Sequence, residues 1–314
     1  MADGPAAGRR KSRRSAYRGA ALLVRRLSGD AHRAPFQPGA DRVNDRVVRD
    51  DGAPSGGSTA NLFILAPNNS GSTFLARALA QSSGALSLPR EGQHVPGFHG
   101  PSTRGTGTRL LWAADPGAIA LFRDPTAFDW IRTQRAWLFH AEAASPDASI
   151  LVVASPPFVL YADQLRAHFP DAKFLIMVRN PYAVVEGICR RADPGPIPPG
   201  EDRRVVAARH VITAMRYQRD NVAALGDRST CFTYEAMCDT PGAIEHAIAA
   251  LIPALGDVTL DQRIKVKSLY DEPLRNMNAD QIARLSRDDI TAINSVFASD
   301  HELLESFGYR LIEA

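Results

Sequence analysis

Residues 61–80 read NLFILAPNNSGSTFLARALA. The apolar run 61–66 predicts a buried strand, because a short apolar segment bounded by turn residues fits the interior of a sheet. Residues 67–71 cannot continue that strand and predict a tight loop. From Ser72 onward the apolar residues fall on one face of a helix. The stretch therefore predicts a strand, a tight loop and a helix in direct succession.

Three more apolar runs have the length of buried strands. They are residues 149–154, 173–178 and 229–234. Helical patterns lie at residues 161–169, from Pro181 onward, at 203–225, at 243–251 and over most of 280–307. Strands that alternate with helices imply parallel strands joined by right-handed crossovers. The predicted fold class is α/β, with a P-loop-type parallel sheet flanked by helices and a helical C-terminal part.

Residues 84–144 separate the first helix from the second predicted strand. Residues 84–108 are rich in Gly, Pro and His and predict a loop, whereas 109–144 look helical in pieces. Side chains expected to pack there are Trp112, Phe128, Trp130, Ile131, Trp137 and Leu138. The Trp112–Trp137 region and the helix 203–225 are expected to shape a substrate pocket, and the arginines of that helix to be solvated or ion-paired.

The overall composition is that of a globular protein. Of 314 residues, 45% are apolar and 23% are charged, which permits a sizeable core. No run approaches the roughly 20 apolar residues of a membrane span, so we expect no transmembrane segment. Cys189, Cys231 and Cys238 have no regular spacing and predict small core residues and a reducing cytoplasmic setting. No Cys or His pair has metal-ligand spacing, so no metal is predicted.

Residues 1–58 differ from the rest in composition. They are rich in Arg, Gly, Ala, Ser, Asp and Pro, and include the basic run GRRKSRR at 8–14. We expect a basic disordered tail ahead of one domain at 59–314. A membrane-surface helix, giving peripheral membrane contact, is the first alternative. A nucleic-acid-binding arm is the second, although we predict no nucleic-acid partner for the protein.

The loop at 67–73 has the features of a phosphate-binding loop. Its backbone N–H groups precede a helix, whose dipole favours an anion, and Gly71 allows close approach of a ligand. Compared with the nucleotide-triphosphatase motif, Ser72 stands where the lysine should be. This substitution disfavours an ordinary ATPase or GTPase. The alternative is a turn that only caps the helix.

A second candidate group follows the strand 173–178. Arg179 comes directly after that strand, Asn180 and Pro181 turn into a helix, and Arg191 follows twelve residues later. An arginine at this position can hold a phosphate with two hydrogen bonds; the alternative is a surface ion pair. Ligands of parallel sheets bind at the carboxyl ends of strands, so we expect Arg179 to lie beside the loop Ser70–Thr73.

Together these residues resemble the sulfotransferase superfamily, in particular its bacterial and tyrosylprotein-sulfotransferase-like branch. The motifs are PNNSGST at 67–73 and VRNP at 178–181, supported by SPP at 155–157, YE at 234–235 and FGY at 307–309. The resemblance covers about residues 61–312. It implies an enzyme that moves a sulfuryl group from 3′-phosphoadenosine 5′-phosphosulfate to a hydroxyl or amine acceptor, without a metal. The acceptor class and the oligomeric state stay open.

The resemblance also assigns roles to residues. The donor-binding residues it implies are Asn69, Ser70, Gly71, Ser72, Thr73, Arg179, Arg191 and Tyr234. Arg179 and Arg191 would hold the 3′-phosphate, and the loop would hold the 5′-phosphosulfate. The catalytic base it implies is Glu91, with His94 as the second candidate since a histidine titrates in a useful range.

The chain departs from the family pattern at three positions. Asn69 stands where the family has Arg or Lys, Gly187 where a serine that binds the 3′-phosphate is expected, and Ala154 where related members often carry Lys. Two alternatives therefore remain: a catalytically weak or inactive nucleotide-binding protein, and a P-loop kinase-like phosphotransferase. The kinase needs a carboxylate near the second strand, where residues 155–157 offer none.

Overall fold

A six-stranded sheet forms the centre of the protein in the computed structural model, which describes residues 59–83, 85–143, 148–266 and 270–314. Its strands are β1 (Ala60–Leu65), β2 (Leu86–Ser87), β3 (Glu142–Ala143), β4 (Ile150–Ala154), β5 (Lys173–Val178) and β6 (Ser229–Thr233). The tail predicted for residues 1–58 lies outside the described residues.

The strand order is β3-β2-β4-β1-β5-β6. Five strands run parallel, and β3 pairs antiparallel with β2 at the edge. β1 lies between β4 and β5, where Phe63 is in register with Val153 and Phe174. The loops that follow β1 and β5 therefore leave the same edge of the sheet side by side, as predicted.

Eleven helices are described around this sheet and in the C-terminal part. They are α1 (Ser72–Ser83), α2 (Pro116–Arg123), α3 (Trp130–His140), α4 (Ala162–His168), α5 (Pro181–Cys189), α6 (Arg203–Leu225), α7 (Tyr234–Asp239), α8 (Pro241–Leu251), α9 (Asn278–Ile282), α10 (Arg287–Phe297) and α11 (His301–Ser306). The four predicted strands and the helices between them are confirmed within a few residues. The predicted α/β class is confirmed as well.

Both faces of the sheet are covered by apolar side chains. On β1, Phe63 and Leu65 belong to one buried cluster, and Leu62 and Ile64 belong to the other. Alternate side chains of a strand point to opposite faces, so β1 is apolar throughout because both of its faces are buried. This explains why the run 61–66 could be recognised without any alternation of polar residues.

One polar side chain from the long helix α6 reaches the carboxyl ends of two central strands. Gln218 is 1% exposed, and its Nε2 donates to Leu65 O at 2.7 Å and to Met177 O at 3.1 Å. Buried carbonyl groups at strand ends need a donor, and Gln218 supplies it. It thereby fixes the two points at which the loops after β1 and β5 begin.

The structure also differs from the expectations in several places. Ile131 and Leu138 were expected to pack in the core, but they lie on the outer face of α3 with 69% and 40% exposure. That helix turns Trp130 and Trp137 inward instead, so only part of its apolar set can be buried.

Four short strands were not predicted. β2 and β3 have two residues each, too few to show a period. The antiparallel pair of β7 (Arg263–Val266) and β8 (Tyr270–Pro273) lies between the helices predicted at 243–251 and 280–307, where no element was predicted. Cys231 is buried and all three cysteines are free, in line with small core residues. Among the described helices, none is long and apolar enough to cross a membrane.

Candidate active site

The loop between β1 and α1 forms the floor of a cleft of about 890 Å³. Residues Asn68–Phe74 line it, and the first helical bond of α1 runs from Leu75 N to Gly71 O at 3.0 Å. The N–H groups ahead of Leu75 have no acceptor within the helix, so they and the positive end of the helix dipole favour an anion. Ser72 and Thr73 lie at this end of the helix and line the cleft.

Two structural features favour glycine at position 71. Its φ of 84° lies in the left-handed region. A Cβ at this position would also lie 3.3 Å from the Tyr234 ring and from Met237. A side chain would therefore be strained and crowded, and the loop packs directly on Tyr234.

Asn68 and Ser70 are buried supports of the loop. Asn68 donates from Nδ2 to Leu110 O and accepts at Oδ1 from Trp112 Nε1, both at 3.2 Å. Ser70 is fully buried, and its hydroxyl lies 3.5 Å from Asn68 O. The tether through Asn68 was missed by the sequence prediction, because an asparagine beside Asn69 carries no signal of a partner 42 residues away.

Arg179 lies beside the loop, as predicted, but it is only 5% exposed. Its Nε donates to Asn278 Oδ1 at 2.8 Å, its Nη1 donates to Asn69 O, and its Nη2 donates to Gln281 Oε1. Burial lowers the pKa of Arg179, and the neighbouring Tyr234 and Glu235 oppose that effect. Arg179 thus joins the loop at residues 67–73 (the phosphate loop) to α9. No local pattern in the sequence predicts this contact.

Tyr234 and Glu235 support Arg179 from the start of α7. The hydroxyl of Tyr234 donates to Arg275 O at 2.7 Å, and burial raises the pKa of that hydroxyl to about 12. Glu235 accepts from Asn180 N at 2.8 Å and from the Tyr309 hydroxyl at 2.9 Å. Tyr234, which was expected to touch the nucleotide, and Glu235 thus hold the C-terminal segment against the sheet.

Arg191 follows α5 and lies nearer to solvent than Arg179. Its Nη2 lies 3.5 Å from Asn69 Oδ1, and its carbonyl accepts a hydrogen bond from Arg203. Within the described part of the chain, no carboxylate forms an ion pair with Arg191. Its guanidinium is therefore available to an anion in the cleft.

Glu91 and His94 line the same cleft, at a 3₁₀ turn formed by Gly92–His94. Glu91 Oε2 accepts from Gln93 Nε2 at 2.9 Å and lies 3.5 Å from His94 Nδ1. Burial lowers the pKa of His94, Arg104 and Arg90 add to that effect, and Glu91 opposes it. A neutral imidazole and a half-exposed carboxylate thus face the cleft, and either can accept a proton.

The turn that carries Glu91 is held by close packing on the core. A Cβ on Gly92 would lie 2.7 Å from Val153 Cγ1 and 3.1 Å from Phe158 Cζ. Trp137 Nε1 donates to Gly92 O at 2.9 Å. The backbone around Glu91 is therefore fixed by the core. The contacts with Gln93 and His94 orient the Glu91 side chain.

Arginines dominate the charge of the cleft. Those lining it are Arg104, Arg109, Arg179, Arg190, Arg191 and Arg275, against the carboxylates of Glu91 and Asp193. Asp193 is paired with Arg109. The lysines at 265 and 267, which could have replaced the cation missing at Asn69, have side chains outside the described residues. The lining arginines supply positive charge suited to a polyanionic ligand.

The wall next to His94 is built by different residues from those expected. Trp112 and Trp137 are fully buried in the core, and the cleft is lined by Thr103, Arg104, Gly107, Arg109 and Leu110. The α6 arginines at 204, 209, 216 and 219 are ion-paired with carboxylates, as expected. Ser155 is 2% exposed, and its neighbour Pro156 lines the cleft.

More than half of the chain matches a known protein family. The family model described as "Sulfotransferase family" matches residues 61–252, more than half of the chain. No curated protein matches the sequence of this chain significantly.

Several solved structures are similar at low identity. A sulfotransferase domain from the curacin biosynthetic pathway has 16% identity and a TM-score of 0.47, covering 81% of this chain and 99% of its own. A sulfotransferase from Alicyclobacillus acidocaldarius has 18% identity and a TM-score of 0.47, with 81% and 98% covered. A sulfotransferase from Mycobacterium avium has 16% identity and a TM-score of 0.47, with 83% and 79% covered.

Proposed function

The chain belongs to the sulfotransferase family, and from this premise we propose that it moves a sulfuryl group from 3′-phosphoadenosine 5′-phosphosulfate to a hydroxyl or amine acceptor. The observation that carries the proposal is one cleft in which the phosphate loop, the Arg191 guanidinium and the Glu91 carboxylate face a common space. A volume of about 890 Å³ is within the range of pockets that hold nucleotides and drug-sized ligands.

The donor's 5′-phosphosulfate would lie on the loop before α1. The N–H groups of Gly71–Thr73 and the hydroxyls of Ser72 and Thr73 are suited to its oxygens. Its 3′-phosphate would lie near Arg191. Arg179 has three of its N–H groups engaged by Asn69, Asn278 and Gln281. In this proposal Arg179 reaches the ligand with its remaining N–H groups and chiefly keeps the loop in shape.

Catalysis would consist of positioning and proton removal. The donor supplies an activated sulfuryl group: a bond forms from the acceptor oxygen or nitrogen to sulfur as the bond from sulfur to the 5′-phosphate oxygen breaks. Glu91 would take the acceptor's proton, and the electron pair of the broken bond leaves with 3′,5′-adenosine bisphosphate. The arginines of the cleft and the helix dipole of α1 would stabilise the charge that develops on this leaving group.

His94 has a second role in this scheme. Its neutral ring lies 3.5 Å from the Glu91 carboxylate, and its burial keeps it from carrying a competing charge near neutral pH. It would hold Glu91 toward the cleft, and it is the alternative base if the acceptor lies on its side.

Calorimetry tests the donor class. We expect 3′,5′-adenosine bisphosphate to bind tightly and ATP with Mg²⁺ to bind weakly, because Ser72 replaces the lysine that reaches the β- and γ-phosphates of ATP. A preference for ATP with Mg²⁺ would point to the kinase-like alternative and contradict the proposal.

A transfer screen tests the reaction itself. The protein would be incubated with ³⁵S-labelled donor and panels of small metabolites, carbohydrates, lipids and peptides, and labelled products would be counted. We expect transfer to one class, and transfer about 100-fold slower in a Glu91→Gln variant. Tight binding of the bisphosphate without transfer to any panel would instead support a nucleotide-binding protein.

A further inference from the structure

The side chain of Asn69 lies in the space that Gly187 leaves open. A Cβ built on Gly187 would lie 3.0 Å from Asn69 Nδ2, 3.3 Å from its Cγ and 3.4 Å from its Cβ. Contacts this short require one of the two groups to move. A side chain at position 187 of α5 would therefore push the Asn69 carboxamide a few tenths of an ångström from its present position.

The orientation of that carboxamide is set by its neighbours. Arg191 can only donate, so the oxygen of Asn69, 3.5 Å from Arg191 Nη2, faces the guanidinium. The amide nitrogen then faces Gly187, where it is buried and has no hydrogen-bond partner. A buried donor without an acceptor is unusual and calls for an explanation, such as a ligand that supplies the acceptor.

The backbone fixes the base of this side chain. Asn69 has a φ of 60°, in the left-handed region that asparagine tolerates better than most residues. Its carbonyl accepts a hydrogen bond from the buried Arg179. The carboxamide is therefore held between the phosphate loop and Arg191 rather than free to swing into solvent.

We propose that Asn69 and Gly187 form a compensating pair, in which the Asn69 amide takes over the hydrogen bond that a serine at position 187 would make to the nucleotide's 3′-phosphate. The inference rests on the proposed function, since it concerns the donor of that reaction. A phosphate monoester offers acceptor oxygens, which suit both the Arg191 guanidinium and the Asn69 amide N–H that faces Gly187. The serine missing at 187 is then replaced from the phosphate loop.

A set of variants at the two positions tests the pair. Calorimetry would compare the wild type with Asn69→Ala, Gly187→Ser and the double variant, using 3′,5′-adenosine bisphosphate. We expect each single variant to bind about tenfold more weakly, the first because the amide is lost and the second because the new Cβ displaces it. We expect the double variant to bind more tightly than either single variant, because the serine hydroxyl then has room.

Two controls distinguish the effect of the added room at position 187 from the effect of the serine's hydrogen bond. The Asn69→Ala/Gly187→Ala variant has the same room but no hydroxyl, so we expect it to stay as weak as Asn69→Ala. With 5′-adenosine monophosphate, which lacks the 3′-phosphate, we expect all variants to bind alike. Gly187 lies inside a helix, where alanine and serine are compatible with the backbone, and thermal unfolding would confirm that each variant is folded.

The outcomes distinguish the inference from the function on which it rests. If the wild type does not bind the bisphosphate, the proposed function is wrong and the pair has no ligand to hold. If the wild type binds but Asn69→Ala is unchanged, or the losses simply add in the double variant, the compensating pair is wrong and the function stands. The same losses with 5′-adenosine monophosphate would also overturn the assignment to the 3′-phosphate.

Discussion

The guanidinium of Arg179 lies over the ring of Tyr234, with its central carbon 4.1 Å from the ring centroid. The pair is buried, with 5% exposure for Arg179 and 4% for Tyr234. A cation over an aromatic face is attracted more strongly where water is excluded. Because Gly71 packs on the same ring, Tyr234 supports both the phosphate loop and the arginine that fastens it.

Replacing Tyr234 should therefore affect donor binding through the ring rather than the hydroxyl. We expect Tyr234→Leu to weaken binding of 3′,5′-adenosine bisphosphate about tenfold, since Arg179 loses its support. Tyr234→Phe keeps the ring but loses the hydrogen bond to Arg275 O. It should bind almost as the wild type does and lose about 1 kcal/mol of unfolding free energy. Calorimetry and urea unfolding measure the two effects; equal binding losses in both variants would contradict the role of the ring.

Glu91→Gln should reduce turnover and leave donor binding intact. The amide keeps the size of the side chain but cannot accept a proton, so we expect kcat to fall about 100-fold with any acceptor that the screen identifies. The affinity for 3′,5′-adenosine bisphosphate should not change. Glu142→Gln, at the exposed edge strand β3, is the matched control. Unchanged turnover in Glu91→Gln would remove Glu91 from the mechanism and leave His94 as the base.

Gly92→Ala should disturb the turn that carries Glu91. The new methyl group would lie 2.7 Å from Val153 Cγ1, inside contact distance of a fully buried side chain. We expect unfolding free energy to fall by about 1–3 kcal/mol. Turnover should fall while donor affinity is kept, because the phosphate loop is built separately. Gly242→Ala is the control, at an exposed glycine away from the cleft lining, where an added Cβ would lie at an ordinary 3.8 Å from Glu245 Oε2. Wild-type turnover in Gly92→Ala would show that the turn tolerates displacement.

His210 should make stability depend on pH. It is fully buried, its Nδ1 accepts from Ala113 N at 3.0 Å, and burial lowers its pKa to about 3. Between about pH 6.5 and pH 3 the unfolded chain binds a proton here that the folded chain does not. Stability from this group is therefore present above about pH 6.5 and is lost as the pH falls.

A substitution that cannot titrate separates His210 from other groups. Glutamine can still accept from Ala113 N, so His210→Gln should flatten the fall in stability between pH 6.5 and pH 4.5. Urea unfolding at several pH values measures the slope, and His246→Gln, at an exposed position, is the control. A slope identical to that of the wild type would mean that other groups control the acid sensitivity.

The phosphate loop and its flanking elements show what can be predicted from residues that are close in the sequence. The run 61–66, the turn at 67–71 and the helix from Ser72 were predicted almost residue by residue, because each depends on neighbours within a few positions. The position of Arg179 beside that loop was also predictable, since parallel strands align their carboxyl ends at one edge.

The partners of Arg179 were not predictable in the same way. Asn278 and Gln281 lie on a short helix about 100 residues further along the chain, and nothing in their local pattern indicates a buried arginine. The expected burial of Ile131 and Leu138 was wrong for a related reason, since both side chains are exposed. Local periodicity shows that a helix has apolar residues, but the neighbouring elements decide which of them are covered.

The sequence by itself determined the succession of the four long strands and the helices between them along the chain, the loop that can hold an anion and the family to which the chain belongs, because these are short-range patterns. Only the tertiary structure decided that Arg179 is a buried fastening, that Gln218 joins the ends of β1 and β5, and that Asn69 fills the gap at Gly187. Those contacts join residues far apart in the chain, and their geometry depends on how the helices pack on the sheet.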